Sequence, residues 1–183
     1  MKNEIIFTVD VERDLHTEEY KSVTEGLKKF EKICDKHGIK PILFVTGDCI
    51  KKYPGIFMRL NSKGWEISLH GLTHRRFDEM NLSEKKMELE TSIEYFQTYL
   101  KIRPKGFRAP QHSIDNKTLD LLEKYGFRYD SSYTPLNALQ LLFFPRKLKL
   151  WIRSFFSPPN PYKIRPNLME IPTSAFLIPF VSL

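Results

Sequence analysis

Apolar residues along this chain fall into short continuous runs separated by longer stretches that repeat every three or four positions. Ile42–Thr46 is an unbroken apolar run, the pattern of a strand covered on both faces in a parallel sheet. Glu4–Val9, Trp65–Leu69, Gly106–Phe107, Phe127–Tyr129 and Leu168–Ile171 read as further strands. Between them, Tyr20, Val23, Leu27, Phe30 and Ile33 predict a helix from Thr17 to about Lys36, closed by Gly38. A second helical stretch covers about Asp48 to Lys63, broken at Pro54 and ended by Gly64. Leu82–Leu100 is the clearest helix, with Ser83 as its expected N-cap, and Asp115 is placed to cap a helix over Asn116–Tyr125. Strands alternating with helices predict a parallel α/β fold.

The polar residues that break this pattern cluster at strand ends. Asp10 and Glu12 follow the first strand, His70 and His74 the third, Arg108 and Pro110 the fourth, and Asp130 ends the fifth. In barrel-like α/β folds the loops after strand C-termini gather on one face and carry the active site. His70-Gly71-Leu72-Thr73-His74 has a spacing that closes round a metal on a helix or a loop, and Gly71 favours the loop. The pair alone reads more simply as two neighbouring surface histidines. Asp10 and Glu12 alternate at the end of a buried strand, where carboxylates are costly to desolvate without a metal or a shared proton. A turn with a capping acid and a solvated glutamate is the plainer account. Taken with the histidines, one carboxylate completes a two-His, one-carboxylate zinc site with an open water position, and the other is left as a base. Arg108 suits the task of keeping a carboxylate ionised, although taken alone it reads as an ordinary surface arginine. His112 shares that rim, while Cys34 and Cys49 read as small buried apolar residues.

Composition narrows the classes. The chain has 183 residues, 41% of them hydrophobic and 13% aromatic, which suits one domain, 1–183, and excludes wholesale disorder. The net charge of +7 invites a nucleic-acid or membrane reading, so its location matters. Residues 134–166 hold six of the basic residues and no acid, along with half of the 12 prolines. The excess charge therefore belongs to one basic, aromatic, proline-rich insertion, and the body of the chain has no surplus to meet a nucleic acid. Within it, residues 139–156 mix Leu, Phe and Trp with Arg and Lys, as a segment touching an anionic membrane surface or polymer does, though a loop partly packed on the barrel, its helix interrupted by prolines, is the plainer account. Two cysteines and no spanning run set the expectation of a cytoplasmic protein, membrane-peripheral through that insertion.

Three of these segments together resemble the polysaccharide deacetylase family, the NodB-homology carbohydrate esterases. The motifs are Thr8-Val9-Asp10-Val11-Glu12, then His70-Gly71-Leu72-Thr73-His74, then Phe107-Arg108-Ala109-Pro110, with a weaker echo at Glu170-Ile171-Pro172. The resemblance implies a distorted (β/α)7-type barrel and metal-dependent removal of acetyl groups from N-acetylated sugars, usually with zinc. It casts Asp10 as general base, His70 and His74 as metal ligands, and Arg108 as the residue that orients the base. It puts the oxyanion at a backbone N–H after Pro110, near Gln111, with Asp130 at the substrate. Two departures stand out. Val11 replaces the family's second aspartate, which matches an Asp-Val-Glu branch where Glu12 is the replacement ligand and where some members act on non-sugar amides. The family's late Leu-x-His acid also has no counterpart, since no histidine follows His112. The expectation is thus a barrel incomplete at its C-terminus, or His112 as substitute acid, or an inactive carbohydrate- or metal-binding relative.

Overall fold

The structure is a computed structural model that describes residues 5–14, 17, 19–135 and 157–173. Residues 139–156, on which the membrane-surface expectation bears, lie outside the described residues. The chain divides into two compact units, Met1–Arg75 with Asn81–Lys105, and Arg76–Met80 with Gly106–Leu183.

The first unit is built on three parallel strands, β1 (Thr8–Val11), β2 (Ile42–Val45) and β3 (Glu66–Leu69). Thr8 pairs with Ile42 and Val11 with Val45, while Ile42 pairs with Glu66 and Val45 with Leu69. Leu43, Phe44, Val45 and Leu69 are wholly buried, which explains the continuous apolar runs: helices cover both faces of such a sheet. The crossovers carry α1 (Leu27–His37), α2 (Gly47–Lys52) and α3 (Pro54–Ser62), followed by α4 (Leu82–Tyr95). Gly38 ends α1 at φ 65°, a left-handed turn that costs glycine nothing. Pro54 opens α3 instead of merely interrupting one helix, since proline is favoured where no N–H is needed. The N-cap of α4 is Asn81 and not Ser83: Asn81 accepts from the Glu84 N–H at 3.0 Å, and Glu84 accepts from the Asn81 N–H at 2.9 Å.

In the second unit β4 (Gly106–Phe107), β5 (Tyr129–Asp130) and β7 (Leu168–Glu170) run parallel, with Gly106 opposite Tyr129 and Asp130 opposite Glu170. Helix α5 (Asn116–Lys124) is capped by Asp115 as expected, through the Thr118 N–H at 2.9 Å. Phe107 packs edge-on against Phe77 and Phe127. The pattern had not indicated β6 (Tyr162–Arg165), which runs antiparallel to β7 with an irregularity between Lys163 and Arg165. Cys34 and Cys49 are free and buried. Among the described residues no helix is long and apolar enough to cross a membrane.

Candidate metal centre

Strand period places Asp10 and Glu12 on one side of β1 while Val11, 4% exposed, points into the core between them. The β3 strand delivers His70 to the same end of the sheet. The His70 N–H donates to Val45 O at 2.9 Å, and the Thr46 N–H to Val11 O at 3.1 Å, so all three strands stop together. From His70 the chain turns at once. Gly71 has φ 76° and His74 φ 61°, and this left-handed histidine brings its ring back towards the first. The two imidazole centroids lie 5.3 Å apart.

Glu12 Oε2 stands between the rings, 2.5 Å from His74 Nε2 and 3.7 Å from His70 Nε2. One ligand atom from each of the three residues lies within 4.8 Å of the others. Despite its closeness to His74, Glu12 Oε2 is buried with no aligned hydrogen-bond donor, an acceptor of the kind that a cation satisfies. Ligands held about 2.0–2.2 Å from a tetrahedral ion stand roughly 3.3–3.6 Å apart, so a small outward movement of His74 makes the triangle fit. Two nitrogens and one oxygen form a donor set suited to a divalent ion with an open position. Asp10 Oδ2 lies 3.9 Å from His70 Nε2, and its side chain is one-third exposed. A cavity of about 500 Å³ shares Leu72 and Thr73 with this loop, and Tyr20, Lys51, Lys52 and Tyr95 also line it.

Two observations beyond geometry bear on ancestry. The polysaccharide deacetylase family profile matches residues 2–129. The chain belongs to the polysaccharide deacetylase family. Among the family's curated relatives, a peptidoglycan deacetylase-like protein of Gibberella zeae is 27% identical over 164 residues, covering 83% of this chain and 47% of the relative. A peptidoglycan deacetylase of Helicobacter pylori is 24% identical over 162 residues, covering 83% and 54%. The chain thus spans about half the length of these relatives. The crystal structure of a Mycobacterium smegmatis protein assigned to the polysaccharide deacetylases superposes with a TM-score of 0.73 at 21% identity, over 92% of this chain and 58% of that one. A family 4 acetyl xylan esterase from Clostridium thermocellum, solved with a cobalt ion, superposes at 0.54 with 19% identity, over 63% and 52%. The α/β fold expected from the alternating pattern is therefore the family's fold.

The other expected site residues lie in the second unit. Arg108 is buried, its Nε donating to Ser131 O at 3.0 Å and its Nη2 to Ser131 Oγ at 2.9 Å. Pro110 is buried, and Gln111 and His112 follow with φ 53° and 57°, two successive left-handed residues. His112 Nδ1 lies 2.9 Å from Ser132 O. Asp130, expected at the substrate, is wholly enclosed and accepts from Ser132 Oγ at 2.6 Å; Ser132 Oγ in turn accepts from the Ala109 N–H at 2.8 Å. Beside it Glu170 is also wholly buried, its Oε1 accepting from the Tyr133 N–H at 3.0 Å. Burial first, then the negative charge of Asp130, pushes the Glu170 carboxyl far above the usual carboxyl range. Burial raises Asp130 as well. The Glu170-Ile171-Pro172 echo was the sequence signal for this pair. Nothing in the sequence signalled Glu88, a buried acid of α4 bonded to the histidine loop.

Proposed function

We propose that this chain is a metal-dependent deacetylase that hydrolyses N-acetyl groups on a carbohydrate polymer. The observation that carries the reading is the convergence of Glu12, His70 and His74, with a second carboxylate beside them, in a chain of the polysaccharide deacetylase family. Glu12, His70 and His74 are the residues to hold the ion, and zinc matches their nitrogen and oxygen donors best. A bound divalent ion supplies a water whose pKa falls towards about 7 and polarises the amide carbonyl. Asp10, outside the ligand triangle and partly exposed, receives the proton of the attacking water. Arg108 and the Pro110–Gln111 turn take the parts that their motif assigns, the orientation of the base and an N–H for the oxyanion.

The Asp-Val-Glu reading of the first motif belongs to the same proposal, and it is supported by Glu12 reaching both histidines while Val11 faces the core. The peptidoglycan-directed relatives favour a polymer of N-acetylated aminosugars over a small amide.

The test is amine release from N-acetylglucosamine oligomers with zinc or cobalt added. Asp10→Asn is expected to lower the rate by roughly 10²–10⁴-fold while leaving metal affinity within a few-fold. His74→Ala is expected to abolish both. An Asp10→Asn protein as active as its parent removes the base from this role, and a parent that binds no metal removes the ligands from theirs.

A further inference from the structure

The loop between the two histidines belongs to no strand or helix, so its backbone groups need partners elsewhere. Gly71 O accepts from the Gly47 N–H at 2.9 Å and Leu72 O from the Asp48 N–H at 3.1 Å, both at the start of α2. A Cβ on Gly47 would sit 2.8 Å from Leu72 Cδ1, so α2 and the loop are in direct contact. From α4 comes the side chain of Glu88. Its Oε2 accepts from the Leu72 N–H at 2.8 Å and its Oε1 from the Thr73 hydroxyl at 3.3 Å. Glu88 is 2% exposed, and the helix is tied at the same point by Ser92 Oγ, which donates to Glu88 O at 2.6 Å.

A carboxylate is costly to bury, and Glu88 is not among the residues that converge as ligands. Its two oxygens are engaged by the loop that sets His74. That histidine holds a left-handed backbone, a conformation that persists in a non-glycine residue only where the surroundings enforce it. We propose that Glu88 is a positioning residue for the metal centre: it fixes the Leu72–Thr73 backbone so that His70 and His74 present their Nε2 atoms together. The proposal rests on the reading of Glu12, His70 and His74 as metal ligands.

The side chain acts through hydrogen bonds, which separates its variants. In Glu88→Gln the amide oxygen accepts from Leu72 N–H and the amide nitrogen donates to Thr73 Oγ1, so the loop keeps both contacts. In Glu88→Asp the charge remains but the reach is one methylene shorter, and one contact is lost. Glu88→Ala loses both. Cobalt titrations followed by visible absorption are expected to show wild-type affinity within about threefold for Glu88→Gln. Glu88→Asp should bind about tenfold more weakly, and Glu88→Ala between 10- and 100-fold more weakly, the range for partners that orient ligands. Helix α4 also buries Lys85 on the Glu88 side, so the urea midpoint of each metal-free variant is measured beside the titration. A merely structural residue would move that midpoint and leave the cobalt dissociation constant alone. Should Glu88→Ala fail to fold, Glu88→Asp decides: wild-type cobalt affinity in that variant overturns the proposal. A wild-type protein that takes up cobalt while Glu88→Ala binds it equally well overturns the positioning role alone. A wild-type protein that takes up none overturns the metal reading and this inference with it.

Discussion

Replacing Glu170 by glutamine is expected to stabilise the protein at neutral pH and to remove much of the dependence of its stability on pH. Asp130 and Glu170 face each other across β5 and β7, both wholly buried, and Glu170 Oε2 has no hydrogen-bond donor. Two such carboxyls share a proton, because both cannot ionise together at this distance from water. Burial pushes the Glu170 carboxyl from 4.5 up to about 11, against a weak downward pull from Arg108. Tyr162, facing the pair, is itself raised by burial and keeps its proton throughout the range of interest.

The sign follows from proton counts. Below pH 4.5 the folded and unfolded chains both hold the Glu170 proton, and its contribution to stability is fully present. As pH rises above 4.5 the unfolded chain releases that proton and the folded chain does not, so stability falls by about 1.4 kcal/mol per pH unit. At pH 7 the accumulated penalty is roughly 3 kcal/mol, and it requires only that the folded-state value lie above 7. Glutamine carries the hydrogen that the pair otherwise takes from solution. Its amide donates towards Asp130 and still accepts from the Tyr133 N–H. Urea unfolding at pH 5, 6, 7 and 8 should show Glu170→Gln gaining on the parent by about one kcal/mol or slightly more per unit, from near equality at pH 5. Parallel pH profiles for the two proteins would refute the shared proton.

Two further substitutions test the packing of the units. Gly106→Ala places a Cβ 2.1 Å from Tyr129 Cζ, in the ring of the paired strand, and is expected to cost about 1–3 kcal/mol by urea unfolding. A parent-like midpoint would show that the ring does not lie over β4 in solution. Asn81→Ala removes the acceptor that caps α4 and should cost about 1 kcal/mol, read as a lowered Tm with cobalt affinity unchanged. No shift in Tm would mean that the reciprocal Asn81–Glu84 bonds are not formed.

What could be read from the chain follows from what each element hides. The strand β2 announced itself because both of its faces are covered, and Gly38 and Gly64 marked helix ends because left-handed turns select glycine. The candidate metal-centre residues were legible only in combination: each pair alone had a plain account, but two carboxylates and two imidazoles at the ends of neighbouring strands together match a metal-ligand set. The strand β6 was not legible: Tyr162-Lys163-Ile164-Arg165 is half-exposed and charged beside prolines, and its pairing depends on β7 alone. Glu88 was hidden because an acid on a long helix reads as solvated until the packing partner is known. The Asp130–Glu170 pair was hidden because chain order does not show that β5 lies beside β7. Only Glu170-Ile171-Pro172 hinted at it, and without reference to burial.

The common ending of β1, β2 and β3 has a kinetic meaning. Glu12 and His70 come from distant parts of the chain, and they meet only after two parallel crossovers have closed, one through Thr46 N–H to Val11 O and the next through His70 N–H to Val45 O. Contacts of such long sequence separation form late, after the loop-closure entropy has been met. An ion therefore finds no binding place in the early chain and cannot seed its folding. On the metal reading proposed above, an ion would close on the finished sheet, like a latch, and its binding energy would be expected in the unfolding rate and not in the folding rate. On that reading, with metal scarce the unit would reach the same fold at the same speed and keep it for less time.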